Sequence, residues 1–185
     1  SGKAGGFLAL DWHGTSTASL AALSFELHRE LAEKENGAER WGYRCVETHQ
    51  LSLDTSRKAR HRPKIGWLNS DVFISTSLIG GGGSTAQVTP GPLTEFLGER
   101  AQEVGVQILL QTKATGLDLT EDGKVQGVKI QQAGEDKVLP ATDVIVAAGP
   151  WTGKLLKTWF PSDKMPPFLR SASMIEGSRS HSVLV

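Results

Sequence analysis

Apolar residues recur at helical spacing over 15–35, where Leu20, Leu23, Leu27 and Leu31 are three or four positions apart and Ala21, Ala22 and Phe25 widen the stripe. Thr15, Ser16 and Thr17 supply hydroxyls suited to an N-cap, and Asn36-Gly37 suits the end of that helix. A second helix is predicted at about 92–104, with Pro90 and Pro92 at its start, Leu93, Phe96, Leu97 and Ala101 on one face, and Gly105 closing it. A third is predicted at about 151–159. Partial alternation predicts strands at 42–54 and 71–79, and a hairpin of 114–119 with 124–131 that turns at Glu121-Asp122-Gly123. Two continuous apolar runs, 106–110 and 144–148, have the pattern of strands buried on both faces. Segments 172–176 and 181–185 read as further strands, 55–64 as a solvated basic loop, and 160–168 as a proline-rich link. The final strand pattern is still running at Val185, and Ser1 opens directly into a glycine motif, so the expectation is a chain truncated at both ends.

Composition narrows the function classes. The chain has 185 residues with 20 Lys plus Arg against 20 Asp plus Glu, so no net basic field points to nucleic acid. Aromatic content of 6% is low for a protein that stacks on bases. The 21 glycines suggest places where the backbone turns tightly or comes close to a ligand. A single cysteine, Cys45, excludes an internal disulfide and fits a reducing compartment. No apolar run is long enough to span a membrane, and no export signal is visible. The cytoplasm is the expected location, with association with internal membranes left open.

Three glycine motifs are candidates for chemistry. Residues 81–86 (GGGSTA) fit GxGxxA on paper, but Pro90 and Gly91 block the helix that a dinucleotide fingerprint needs directly afterwards. A flexible connection suits them better. Residues 1–7 (SGKAGGF) offer adjacent glycines whose N–H groups can approach a diphosphate or a flat ring, with Lys3 adding charge. Residues 143–151 (DVIVAAGPW) place small residues between an apolar strand and a helix, as where a cofactor lies at the carboxyl end of a sheet strand. Taken alone, this last stretch equally describes a buried strand with a tight turn and nothing bound. The five histidines have no metal-binding spacing, no GxSxG elbow is present, and no metal site is expected.

The order of these pieces is more specific than any one of them. A glycine turn, a long helix, alternating strands, Val88-Thr89-Pro90, a helix, an apolar strand, a hairpin and Ala-Ala-Gly-Pro-Trp follow one another. That series resembles the FAD-dependent oxidoreductase family that includes D-amino-acid oxidase, glycine oxidase and sarcosine oxidase. The SGKAGGFLA, WGYR and IEGSRSHS segments are similar to those of its fungal and plant branch.

The resemblance implies an α/β (α+β) fold. A Rossmann-like FAD-binding domain without its first βαβ unit would be interleaved with part of a mixed-sheet substrate domain. Residues 1–41 and 86–150 would form the former, and 42–85 and 151–185 the latter. It also implies FAD as cofactor. Gly5, Gly6 and Phe7 would lie by its pyrophosphate and ring, Lys113 and Ala114 by the adenine, and Ala148, Gly149 and Trp151 by the diphosphate. Arg179 and His181 would lie on a substrate-domain strand. The implied parent oxidises a CH–NH bond of a small-molecule amine or amino acid by hydride transfer to flavin. Two alternatives are a truncated non-catalytic product and a flavin-fold platform with a binding or trafficking role. No catalytic residue is assigned by this reading.

Overall fold

The computed structural model describes residues 2–12, 14–54, 56 and 73–177. The chain forms two compact units, Ser1–Val104 and Gly105–Val185.

In the first unit, strand β1 (Phe7–Ala9) leads to helix α1 (Ala18–Lys34). Asn36 takes a left-handed conformation (φ 55°), stops α1, and starts a short helix α2 (Gly37–Trp41), which ends on a second left-handed residue, Gly42 (φ 65°). The predicted 42–54 strand is two strands in the structure. β2 (Arg44–Cys45) pairs with β5 (Thr85–Gln87), whereas β3 (Thr48–Leu53) pairs with β4 (Phe73–Gly80). Thr85, fully buried, marks the crossing between the two sheets. Its amide carbonyl accepts from the Val46 N–H at 3.1 Å, while its hydroxyl lies 2.5 Å from Val46 O and 3.0 Å from Gly81 O. Sheet order in this part is β1-β5-β2, all antiparallel. Residues 81–84 form the turn ahead of β5, so a strand and not a helix directly follows the glycine run; Pro90 and Gly91, expected to block a helix, instead open the next one.

Helix α3 (Pro90–Glu103) follows, with prolines in its first turn where a missing N–H costs nothing. Ala32, Trp41, Val88 and Phe96 form the core of this unit, with Leu8, Leu31, Tyr43 and Leu93 packed around it. Helix α1 therefore buries Phe25 and Ala32, and its predicted leucine stripe is largely outside: Leu20, Leu23 and Leu27 are exposed. The periodicity predicts the helix correctly but not which of its apolar sides is covered.

In the second unit, β6 (Thr112–Leu119), β7 (Val125–Gln132) and β8 (Glu135–Pro140) form an antiparallel meander. The β6–β7 hairpin is the one predicted, with Gly123 left-handed in its turn (φ 78°); β8 was not predicted. A 3₁₀ turn at Gly149–Trp151 precedes helix α4 (Thr152–Trp159), which packs against β6 and against a short helix α5 (Arg170–Ser173). Buried residues here include Ile130, Thr152, Leu156, Met165 and Ser173.

Three strand expectations fail. The 106–110 and 144–148 runs are irregular; 106–110 is exposed throughout, and 144–148 alternates half-buried with exposed residues, Ile145 reaching 92%. A strand needs a neighbour for its N–H and C=O groups, and among the described residues neither run has one. Segment 172–176 is not a strand: it begins inside α5, which Pro166-Pro167 feeds through a 3₁₀ turn, and the Ser173 hydroxyl donates to Arg170 O at 2.7 Å. The predicted 181–185 strand, Arg179 and His181 lie outside the described residues, as does all of the basic 55–64 loop except Ser56.

Candidate functional site

The N-terminal glycines separate into two kinds. Gly6 has φ 76°, and a Cβ there would collide with Val88 O; its own carbonyl accepts from the Val88 N–H at 2.9 Å. The pairing of β1 beside Val88 therefore demands glycine at 6 with or without a ligand. Gly5 is different, because no atom lies within 4 Å of where its Cβ would be and its φ is not positive. Nothing in the fold requires glycine there. Phe7, next along, is exposed and forms a tilted pair with Trp12, with ring centroids 6.4 Å apart. The Trp12 indole N–H donates to Ile79 O at 2.8 Å, which fixes that ring. Bare backbone beside a held aromatic edge suits the approach of a flat ring.

In the second unit, Lys113 and Ala114 are at the start of β6, opposite Gln131 and Ile130 of β7. Successive strand residues face opposite sides. Lys113 lines an open cleft of about 580 Å³ with Thr115, Lys129, Ile130, Gln131 and Asp136, and Ala114, paired with Ile130 in the ladder, does not line it.

Ala148 is half-buried, and its carbonyl accepts from the Trp151 N–H at 3.1 Å. Gly149 is left-handed (φ 53°), and its Cβ position is open. Trp151 is 67% exposed and lines a second cleft, at the start of α4. The structure thus holds Ala148, Gly149 and Trp151 in one turn, and places Lys113 in a separate cleft from Trp151. Gly5 and Gly149 each leave backbone uncovered that a side chain would cover, but the left-handed φ of Gly149 favours glycine there with or without a ligand, so only Gly5 is free of a demand from the fold.

Three positions went unremarked in the sequence. Gly153, inside α4, has no room for a Cβ, which would collide with Ile175 O and lie 2.7 Å from Ser173 O. Lys154 and Lys157 line the cleft with Trp151. A glycine within a short helical pattern was the available signal for close backbone approach. Among the described residues no group of three or more metal-binding side chains converges, and no helix is long and apolar enough to cross a membrane.

The clear electrostatic perturbations lie away from these turns. Hydrogen bonds from the Ser56 hydroxyl and amide, at 2.6 and 2.8 Å, hold the Asp54 carboxyl below its ordinary value. Burial first, and the neighbouring Cys45 second, push the Tyr43 phenol above its ordinary 10.0. Its oxygen is buried without a hydrogen-bond partner of good geometry, and the nearby Arg29, which favours the anion, offsets only part of the shift. Tyr43 is the chain's one tyrosine, so the absorbance change near 295 nm on alkaline titration reports it alone. The expected midpoint is above 10 in the folded chain and falls to the ordinary value in denaturant. The fold favours the protonated phenol, so this contribution is complete below the unfolded pKa and is lost as pH rises through the folded one. Equal midpoints in the two states would contradict the burial argument.

Helices combined with antiparallel sheets make an α/β-class chain, and open glycine backbone occurs in both of its units. The chain belongs to the FAD dependent oxidoreductase family (DAO), which it matches over residues 1–182, and FAD is the cofactor expected of it. It is 32% identical over 199 residues to a Schizosaccharomyces pombe protein named as an oxidoreductase, covering 100% of this chain and 48% of that protein. It is 33% identical over 94 residues to an aerobic glycerol-3-phosphate dehydrogenase of Staphylococcus haemolyticus, covering 49% of this chain and 17% of that enzyme. The chain thus spans about half the length of the yeast relative. No solved structure gives a significant match. The FAD-dependent oxidoreductase family and FAD, expected from the order of elements, are borne out at that level.

Proposed function

We propose that this chain is part of an FAD-dependent oxidoreductase that oxidises the CH–NH bond of a small amine or amino acid. The observation that carries the reading is the family match over residues 1–182, joined to open glycine backbone at Gly5 and Gly149. Bound flavin would supply the redox chemistry by accepting a hydride; the protein contributes position, desolvation and polarity. In this reading Gly5, Gly6 and Phe7 lie along the pyrophosphate and ring, Ala148, Gly149 and Trp151 by the diphosphate, and Lys113 and Ala114 by the adenine. Residues 1–41 and 86–150 form a Rossmann-like FAD domain, and 42–85 and 151–185 belong to a substrate domain. The irregular apolar runs 106–110 and 144–148 become sheet strands when the rest of such a domain pairs with them. A second reading, oxidation of a CH–OH bond, is favoured by the similarity to the glycerol-3-phosphate dehydrogenase.

Titration of the full chain with FAD, followed by flavin fluorescence, tests the cofactor assignment. Gly5→Val is the informative variant, because a Cβ there has nothing within 4 Å beyond its chain neighbours. Its thermal unfolding is expected to match the parent, and its affinity for FAD to fall at least about tenfold, roughly 1.4 kcal/mol. Unchanged affinity would remove Gly5 from the site. A parent chain with no affinity at all would favour the non-catalytic reading. Anaerobic bleaching of bound flavin by amino acids, against glycerol 3-phosphate, separates the two substrate classes.

A further inference from the structure

We propose that the cleft between α4 and the segment after α5 is a second binding site, for a small phosphate monoester with a flat apolar body. The site shares Trp151 with the FAD contacts proposed above, whereas Lys154, Lys157 and Ile175 lie outside those contacts. Its volume is about 820 Å³, within the usual range for small-molecule sites, and it is lined by Pro150, Trp151, Lys154, Lys157, Ile175 and Glu176 among others.

Two glycines build the cleft. At Gly153 the backbone of Ser173 and Ile175 lies against α4 so closely that a Cβ would collide with it. At Gly177 a Cβ would lie 2.9 Å from Pro150 Cβ. The 173–177 segment is therefore laid onto the start of α4 at two places, and the wall opposite the lysines is fixed by backbone contact rather than by mobile side chains.

The lining indicates the ligand. Lys154 and Lys157 are three residues apart and so on one side of α4, and among the described residues neither pairs with an acid. Ammonium groups of this kind bind phosphate as point charges. Glu176 lines the same cleft, so two cations and one anion leave a net single positive charge. That balance suits a monoester head rather than a polyphosphate. Trp151, 67% exposed, and Ile175 supply an apolar surface beside the charges, where a planar group can stack.

Phenyl phosphate is the probe, with inorganic phosphate and phenol as its separate halves. Titration of the isotope-labelled full chain, followed by amide and indole NMR shifts, locates binding directly. Shifts are expected at Trp151, Lys154, Lys157 and Ile175, with phenyl phosphate binding at least about tenfold more tightly than either half. Lys154→Gln/Lys157→Gln is expected to weaken it about tenfold or more, whereas the Arg/Arg pair retains it and shows that the loss is one of charge rather than folding. Affinity for FAD is expected to be the same in all three proteins, and phenyl phosphate still to bind at Lys154 and Lys157 with FAD present. Absence of binding by the parent, undiminished binding by the Gln/Gln variant, or competition with FAD would each overturn a separate site here. Failure of FAD to bind, with phenyl phosphate still bound in the cleft, would count against the cofactor reading alone.

Discussion

Trp41→Ala is expected to destabilise the chain by about 3–5 kcal/mol, the usual cost of truncating a large buried aromatic. Trp41 is 2% exposed, and its ring stands 4.6 Å from that of Phe96, centroid to centroid, at 32°. Gly37 approaches it so closely that a Cβ there would lie 2.5 Å from Trp41 Cζ2. On the other partner, the Arg40 guanidinium lies 4.3 Å from the Phe96 ring centre, and the same arginine reaches Glu35 and Glu99. Those ion pairs are exposed and contribute little alone. The indole therefore joins α2 to α3, and its removal leaves a cavity that Gly37 and Ala32 cannot fill. Such a loss is a large share of a typical total stability of roughly 5–15 kcal/mol. Urea unfolding followed by tryptophan-independent circular dichroism measures it. A change under about 1 kcal/mol would show that the helices close over the gap.

Gly153→Val should be nearly as damaging, at about 2–3 kcal/mol or above, the upper part of the range for overpacking a close-fitting core. The atoms in the way are backbone atoms, Ile175 O and Ser173 O, which cannot rotate aside as a side chain would. The added branch also lies within an eight-residue helix whose buried side is Thr152, Gly153 and Leu156. The expected local result is release of α5 and residues up to Gly177 from α4. Hydrogen exchange over 170–177, faster in the variant than in the parent, is the direct measurement. Unaltered exchange would mean that the 173–177 segment can shift while keeping its hydrogen bonds.

The parts legible in the sequence are those whose signals are local. Helices α1, α3 and α4 follow from apolar spacing and flanking stop residues or prolines, although Thr17 at the start of α1 makes no side-chain cap hydrogen bond, and the β6–β7 hairpin follows from Glu121-Asp122-Gly123. Parts that depend on distant partners were not legible. The break between β2 and β3 arises because Val46 meets Thr85, thirty-nine positions along. The 106–110 and 144–148 runs have the composition of buried strands, but composition does not supply a neighbouring strand. For the candidate site, the glycine turns were legible as types of backbone. Lys154 and Lys157 were not: in a GKLLKT helix they read as an ordinary solvated face, and it is the Gly153 and Gly177 contacts that put a wall opposite them.

The contrast between Gly5 and Gly6 gives natural variation a use. At Gly6 any other residue must break the β1 pairing beside Val88, so invariance of that position among relatives is accounted for by folding and says nothing about FAD. At Gly5 the fold permits most side chains. A lineage that keeps a flavin there should keep position 5 small, and one that has given it up should let position 5 drift while position 6 stays glycine. If flavin lies along Gly5 as proposed, the pair is an internal control carried in two adjacent residues, one recording the demands of the chain and the other those of its ligand.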